Sequence, residues 1–126
     1  MRLLLDTNAL IYLVGEPDAM RAEALAAVRD PANAVFFSAA NVWEIEIKAK
    51  KGALARPAPD VVAAAGRQGY DELAISARHA EAAGRLPLHH ADPFDRVIIA
   101  QAQAEGLTVV TRDGAFELYD VAVLPC

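Results

Sequence analysis

The sequence predicts a single α/β sandwich, a mostly parallel sheet covered by helices on both faces. Three observations carry this. Short apolar runs, Arg2–Leu5, Ala34–Ser38 and Leu107–Thr111, alternate with longer helical stretches. The runs are apolar almost throughout, as expected for strands buried on both faces. The 126 residues amount to one domain, 1–126, with no internal repeat, low-complexity tract or linker.

The elements follow in order. Arg2–Leu5 is a buried strand ending at Asp6, and Asn8–Val14 is a helix stopped by the "GEPD" that follows. Asp18 is placed as the cap of a second helix running to about Arg29, and Asp30–Asn33 is a turn. Ala34–Ser38 is the second strand. Asn41 opens a helix that Gly52 ends, with Pro57 and Pro59 just beyond. A short helix spans Pro59–Gly69, capped by Asp60 or beginning near it, "DELAIS" holds a third strand, and Ser76 caps a helix over about Ala77–Gly84. After the loop "RLPLHHAD", Asp92 and Pro93 have the form of an N-cap and first helical residue, with Asp95 facing the helix dipole. Leu107–Thr111 is rich in β-branched residues. "RDGAFE" is a turn or short helix, and Val121–Leu124 is the last strand.

Composition narrows the classes. The chain is 55% hydrophobic and 23% charged, which is globular rather than disordered. A net charge of −5 argues against coating nucleic acid by bulk charge, although acids that hold metal ions can still address phosphate. The basic residues Lys48, Lys50, Lys51 and Arg56 fall close together, which a solvated helix end explains equally well. No apolar run approaches membrane-spanning length, and an acid arrives too early for a signal peptide, so a cytoplasmic location is expected. The lone Cys126 permits no internal disulfide, fits a reducing compartment, and is read as part of a frayed terminus.

Strand C-termini and helix N-termini share one edge of a parallel sheet, where ligands bind. Asp6 ends the first strand, Asp113 lies two residues beyond Thr111, Asp92 and Asp95 open the helix before that strand, and Glu44 lies early in the helix after Ser38. Crowded carboxylates resist ionising together, and a hard divalent cation relieves that repulsion. Such a site can clamp a phosphodiester and activate water for attack. Thr7, Asn8, Ser38 and Thr111 offer polar groups to orient the acids.

At this point a family resemblance appears. "LLLDTNALIYLV", "FSAANVWEIEIK", "HHADPFDRVIIAQA" and "LTVVTRDGAF", in that order and spacing, resemble the PIN domains of VapC-type toxins over nearly the whole chain. The resemblance implies a three-layer α/β/α fold and a Mg²⁺- or Mn²⁺-dependent endoribonuclease. It also implies an RNA substrate, a small antitoxin partner that inserts a segment into the acidic cleft, and a homodimer. By position, the family's acidic quartet falls on Asp6, Glu44, Asp95 and Asp113, with Asp92 bordering the site and Asn8, Ser38 and Thr111 in supporting places.

Each residue also has an ordinary role. Asp6 could cap the next helix, though Thr7 and Asn8 offer caps as well, and a ligand role is favoured. Asp113 could begin an Asp-Gly turn. Glu44 falls opposite the apolar face of Val42, Ile45 and Ala49, four residues before Lys48, so an exposed ion pair competes with a site role. Glu46 falls among apolar positions and could meet solvent, a partner or the site. Arg96 and Arg112 are read as ion-pair partners of the preceding acids. His89 and His90 lack metal-ligand spacing and are read as solvated loop residues. Trp43 and Tyr12 are read as core or interface residues rather than base-stacking platforms. Two other classes compete. One is a PIN fold that only binds RNA or protein. The other is an aspartate-based phosphatase of the haloacid-dehalogenase type, in which Asn8 stands where a second acid is normally found.

Overall fold

The computed structural model describes residues 1–126. Five parallel strands, β1 (Arg2–Leu5), β2 (Ala34–Ser38), β3 (Asp71–Leu73), β4 (Thr108–Thr111) and β5 (Val123–Pro125), form one sheet in the order β3-β2-β1-β4-β5. The central strand sets the register, with Leu3 opposite Val35 and Thr108, and Leu4 opposite Phe36 and Val109.

Alternation along these strands divides the core. Leu3, Leu5, Val35, Phe37 and Val110 face α1 (Thr7–Gly15), α2 (Ala22–Arg29) and α4 (Val61–Arg67). Leu4 and Val109 face the other way, toward α6 (Pro93–Glu105), against which α5 (Ala77–Arg85) packs. Leu3, Leu4 and Leu5 are all fully buried, and each such side chain contributes roughly 1.5–3 kcal/mol relative to exposure. Helix α3 (Ala39–Lys50) sits between α1 and α6 and gives Ile45 to one cluster and Ala40 to the other. The three-layer parallel α/β/α sandwich is therefore the architecture.

Local chemistry explains most boundaries. Asp92 accepts hydrogen bonds from the Phe94 and Asp95 N–H groups, Pro93 takes the first position of α6, and Gly106 ends it in the left-handed conformation at φ +67°. Ser38 and Asn41 close a capping box on α3, and Ser76 with His79 does the same on α5.

Three expectations shift. Asp18 does not cap α2. Pro17–Ala19 forms one 3₁₀ turn, Met20 then leaves helical geometry with its side chain buried, and α2 begins at Ala22. The last strand begins two residues later than expected, at Val123 rather than Val121, because the 3₁₀ turn Gly114–Leu118 and the buried Tyr119 delay it. Cys126 is not frayed. It is buried, its N–H donates to the Thr111 carbonyl, and the Arg112 guanidinium donates to its carbonyl.

Candidate functional site

The order β2-β1-β4 makes the gap between β1 and β4 the place where connections leave in opposite directions, the crevice in which such sheets bind ligands. Asp6 stands at the end of β1 and Asp113 just beyond β4. The α6 N-terminus brings Asp92 and Asp95 over the same edge, and α3 brings Glu44.

Asp6 is nearly fully buried and uses both oxygens. The Ala9 N–H donates to Oδ1 at 2.8 Å, and Thr111 Oγ1 donates to Oδ2 at 2.5 Å. Asp6 itself is therefore the N-cap of α1, and Thr7 and Asn8 do not replace it. Thr111 also accepts from the Asp113 N–H at 3.0 Å, so one buried hydroxyl ties the β1 acid to the β4 acid. Asp113 caps the following 3₁₀ turn through Oδ1 on the Ala115 N–H, leaving Oδ2 toward the crevice.

Glu44 is buried rather than exposed. Thr7 Oγ1 donates to its Oε1 at 2.5 Å, Lys48 Nζ lies 2.7 Å from Oε2, and Asn41 Nδ2 donates to Thr7 Oγ1. The expected Glu–Lys pair exists, but half of it lies inside the molecule, because α3 is covered by α1 on one side and α6 on the other. Glu46 points outward and pairs with Arg56 at 2.6 Å.

The carboxyl of Asp95 faces His90, with Nε2 2.8 Å from Oδ2, and the same nitrogen lies 3.4 Å from Asp113 Oδ2. His90 therefore bridges two of the acids and is no solvated loop residue. Its loop is fixed from two sides. Tyr119 Oη accepts from the His90 N–H and donates to the Pro87 carbonyl. The buried Arg96 guanidinium donates to the carbonyls of Ala83, Leu86, Pro87 and His90. Arg96 makes no ion pair with Asp95, and Arg112 none with Asp113. Arg112 instead donates to the Ala19 and Cys126 carbonyls and lies over the Tyr12 ring.

Charge crowding is visible in the acids. Burial holds the Asp6 carboxyl above its ordinary range, with the charges of Asp113 and Glu44 adding to it, against hydrogen bonds from Thr111 and Ala9. Asp95 is pushed up to about 7, first by burial and then by Asp92, against its contact with His90. The Lys48 ammonium is held above its usual value, mainly by Glu44 and also by Asp92 and Asp95.

His90, Asp95 and Asp113 offer three ligand atoms within 4.8 Å of one another. Carboxylate oxygens dominate the crevice, and two of its carboxyls are disfavoured as bare anions. That donor chemistry fits a hard divalent cation. Asp6 and Glu44 stand outside that closest set, with their oxygens already engaged. Of the supporting residues, Thr111 and Asp92 touch the acids, Ser38 is buried as the α3 cap, and Asn8 is exposed. Thr7 and His90 bond the acids directly, and Asn41 bonds Thr7.

The PIN-domain family profile matches residues 3–122. The chain belongs to the PIN-domain family. Solved structures agree on the fold. A DNA-bound VapBC from Salmonella typhimurium is 19% identical, with a TM-score of 0.72 over 99% of this chain and 98% of that one. VapBC2 from Rickettsia felis, bound to a promoter DNA fragment, gives 17% and 0.69 over the same shares. FitAcB from Neisseria gonorrhoeae is 28% identical, with a TM-score of 0.59 over 97% of this chain and 96% of that one. No curated protein matches the chain. No helix of this PIN domain is long and apolar enough to cross a membrane.

Proposed function

We propose that this PIN domain is a VapC-type toxin, a Mg²⁺- or Mn²⁺-dependent endoribonuclease controlled by a cognate antitoxin. The observation that carries the reading is the gathering of Asp6, Asp95 and Asp113 around the β1/β4 crevice, with two of the three carboxyls disfavoured as bare anions. Asp95 and Asp113 are assigned as principal ligands, Asp6 as the buried acid behind them, and Glu44 as the acid of the opposite wall. A bound divalent cation supplies charge neutralisation for the phosphodiester and a lowered pKa for attacking water. The chain's own groups do the rest. Thr111 holds Asp6 and the Asp113 backbone in one frame. His90 keeps the Asp95 and Asp113 oxygens turned toward each other. Thr7 and Lys48 fix Glu44. The antitoxin assignment is supported by solved members of toxin–antitoxin systems that share the fold. A homodimer and a cytoplasmic setting belong to the same proposal.

The test is cleavage of RNA by the purified protein with added Mg²⁺ or Mn²⁺, read by sequencing the new ends, alongside growth on induced expression. Asp95→Asn should lose both cleavage and growth inhibition while keeping its circular dichroism spectrum. Unchanged cleavage in folded Asp6→Asn and Asp95→Asn variants overturns the reading. Mn²⁺ binding by calorimetry without cleavage of any RNA identifies a binding-only PIN domain instead.

A further inference from the structure

The outer face of α3 carries a feature that the acidic crevice does not use. Trp43, the chain's single tryptophan, is 62% exposed, so of its expected places, core or interface, the core is excluded. Its ring meets Phe94 edge-on at 5.2 Å between centroids. Phe94 adjoins Asp95 and its N–H is held by Asp92, so the aromatic pair is built onto the rim of the site.

Helical spacing extends the pair into a stripe. Trp43, Ile47 and Lys51 follow one another at i, i+4 and i+8, a single line along α3. Beside that line, Glu44 and Lys48 form a second row that ends at the crevice. A depression between α3 and the start of α6 is lined by Glu44, Ile47, Lys48, Lys51, Asp92 and Phe94. A neighbouring one shares Ile47 and Lys51 and reaches Trp43 and Lys50. The two form one continuous surface from the acids to the tryptophan.

The charge on this surface is opposite to that of the chain. Lys48, Lys50 and Lys51 are all exposed here, on a protein of net charge −5. Glu46 is paired with Arg56 at 2.6 Å and Glu44 with Lys48 at 2.7 Å, and Asp92 stands at the crevice end, so the cations of the stripe outside those two pairs are Lys50 and Lys51. Interface cores favour tryptophan and phenylalanine but are depleted in lysine, so the exposed lysines beside this aromatic pair are what favour an anionic partner. Cations that follow a backbone, with aromatic faces for bases, are what single-stranded nucleic acid requires.

The geometry points to this α3 stripe as the track for single-stranded RNA entering the crevice. Trp43 stacks a base, Lys51 and Lys50 meet phosphates, and Phe94 props the tryptophan from the site side. The inference rests on the proposed ribonuclease reading for the direction of the strand, but it concerns binding, which is measured separately from cleavage.

The experiment uses the Asp95→Asn protein with a single-stranded oligouridylate of about ten nucleotides, the fluorescence of Trp43 reporting directly because no other tryptophan contributes. Saturable quenching that weakens with salt is expected. Lys51→Glu should weaken binding at least about fivefold and reduce the salt slope by about one. With a labelled oligouridylate followed by anisotropy, Trp43→Ala should weaken binding by about five- to a hundredfold. Trp43 is exposed, so its loss leaves the core intact. Oligouridylate binding that neither quenches Trp43 nor changes in Trp43→Ala overturns the track, and if the wild type still cleaves RNA the nuclease reading survives alone. Quenching with no cleavage under any metal leaves the track and overturns the nuclease. An emission shift that depends on protein concentration, accompanies dimer formation in sedimentation and ignores RNA makes the stripe an interface between copies, and this also overturns the track.

Discussion

Asp95→Asn should make the metal-free protein more stable near pH 8, although it removes a site residue. The Asp95 carboxyl is pushed up to about 7, chiefly by burial and by Asp92, whereas an unfolded aspartate titrates near ~3.9. The folded state therefore binds this proton more tightly than the unfolded state. Stability tied to the group is fully present below ~3.9 and is lost as pH rises through about 7. The gap of about three pH units corresponds to roughly 4 kcal/mol as an upper limit, at ~1.36 kcal/mol per unit. The contact to His90 at 2.8 Å is already contained in that gap, because it lowers the carboxyl against burial and Asp92, and relaxation of the site reduces the remainder. A net gain of roughly 1–3 kcal/mol is expected. The assay is urea unfolding in EDTA at about pH 8 and about pH 5, the advantage of Asn shrinking at the lower pH. With Mn²⁺ at about a thousand times its Kd the order should reverse, since the wild type gains ~4.1 kcal/mol from the ion that the variant no longer holds. A variant less stable than the wild type near pH 8 without metal, or a difference that does not move with pH, refutes the reasoning.

Three further outcomes are expected. Thr111→Val leaves Asp6 Oδ2 without its buried donor and the Asp113 N–H without its acceptor. It should cost about 2–3 kcal/mol in urea unfolding and weaken Mn²⁺ binding by calorimetry about 10- to 100-fold. Arg96→Lys cannot span four carbonyls, and should lower Tm by about 4 °C per kcal/mol lost; an unchanged Tm removes Arg96 as the anchor of the loop. His90→Ala removes the one nitrogen donor of the closest ligand set. Its Mn²⁺ affinity should fall about tenfold and more than its Mg²⁺ affinity, because Mg²⁺ favours oxygen alone; equal losses for both ions exclude His90 as a ligand.

The acids at strand ends were legible in the sequence because a parallel sheet leaves them few places to go. Asp6 and Asp113 follow runs that must be buried, and the α6 cap fixes Asp92 and Asp95 over the same edge. Glu44 was harder, since a helical wheel assumes one buried face and α3 has neighbours on two sides. His90 was out of reach. Its place depends on Tyr119 and Arg96, 29 and 6 residues away, and nothing in "LHHAD" encodes those contacts. Thr7 and Asn8 differ by one position and about 100° of helix; the buried one bonds Glu44 and the other faces solvent. The arginines misled for a related reason. Sequence adjacency suggested pairing with Asp95 and Asp113, whereas unsatisfied carbonyls at the end of α5 and beside Cys126 took both guanidinium groups.

The Arg96 anchor has a wider consequence. Its four acceptors are backbone carbonyls, which carry no ionisable proton. The loop that presents His90 is thus insulated from acidity, while the carboxyls it faces respond to it. Protonation and ion binding can alter the charge of this crevice without altering its shape, so the domain can exchange one positive occupant for another against a wall that stays still.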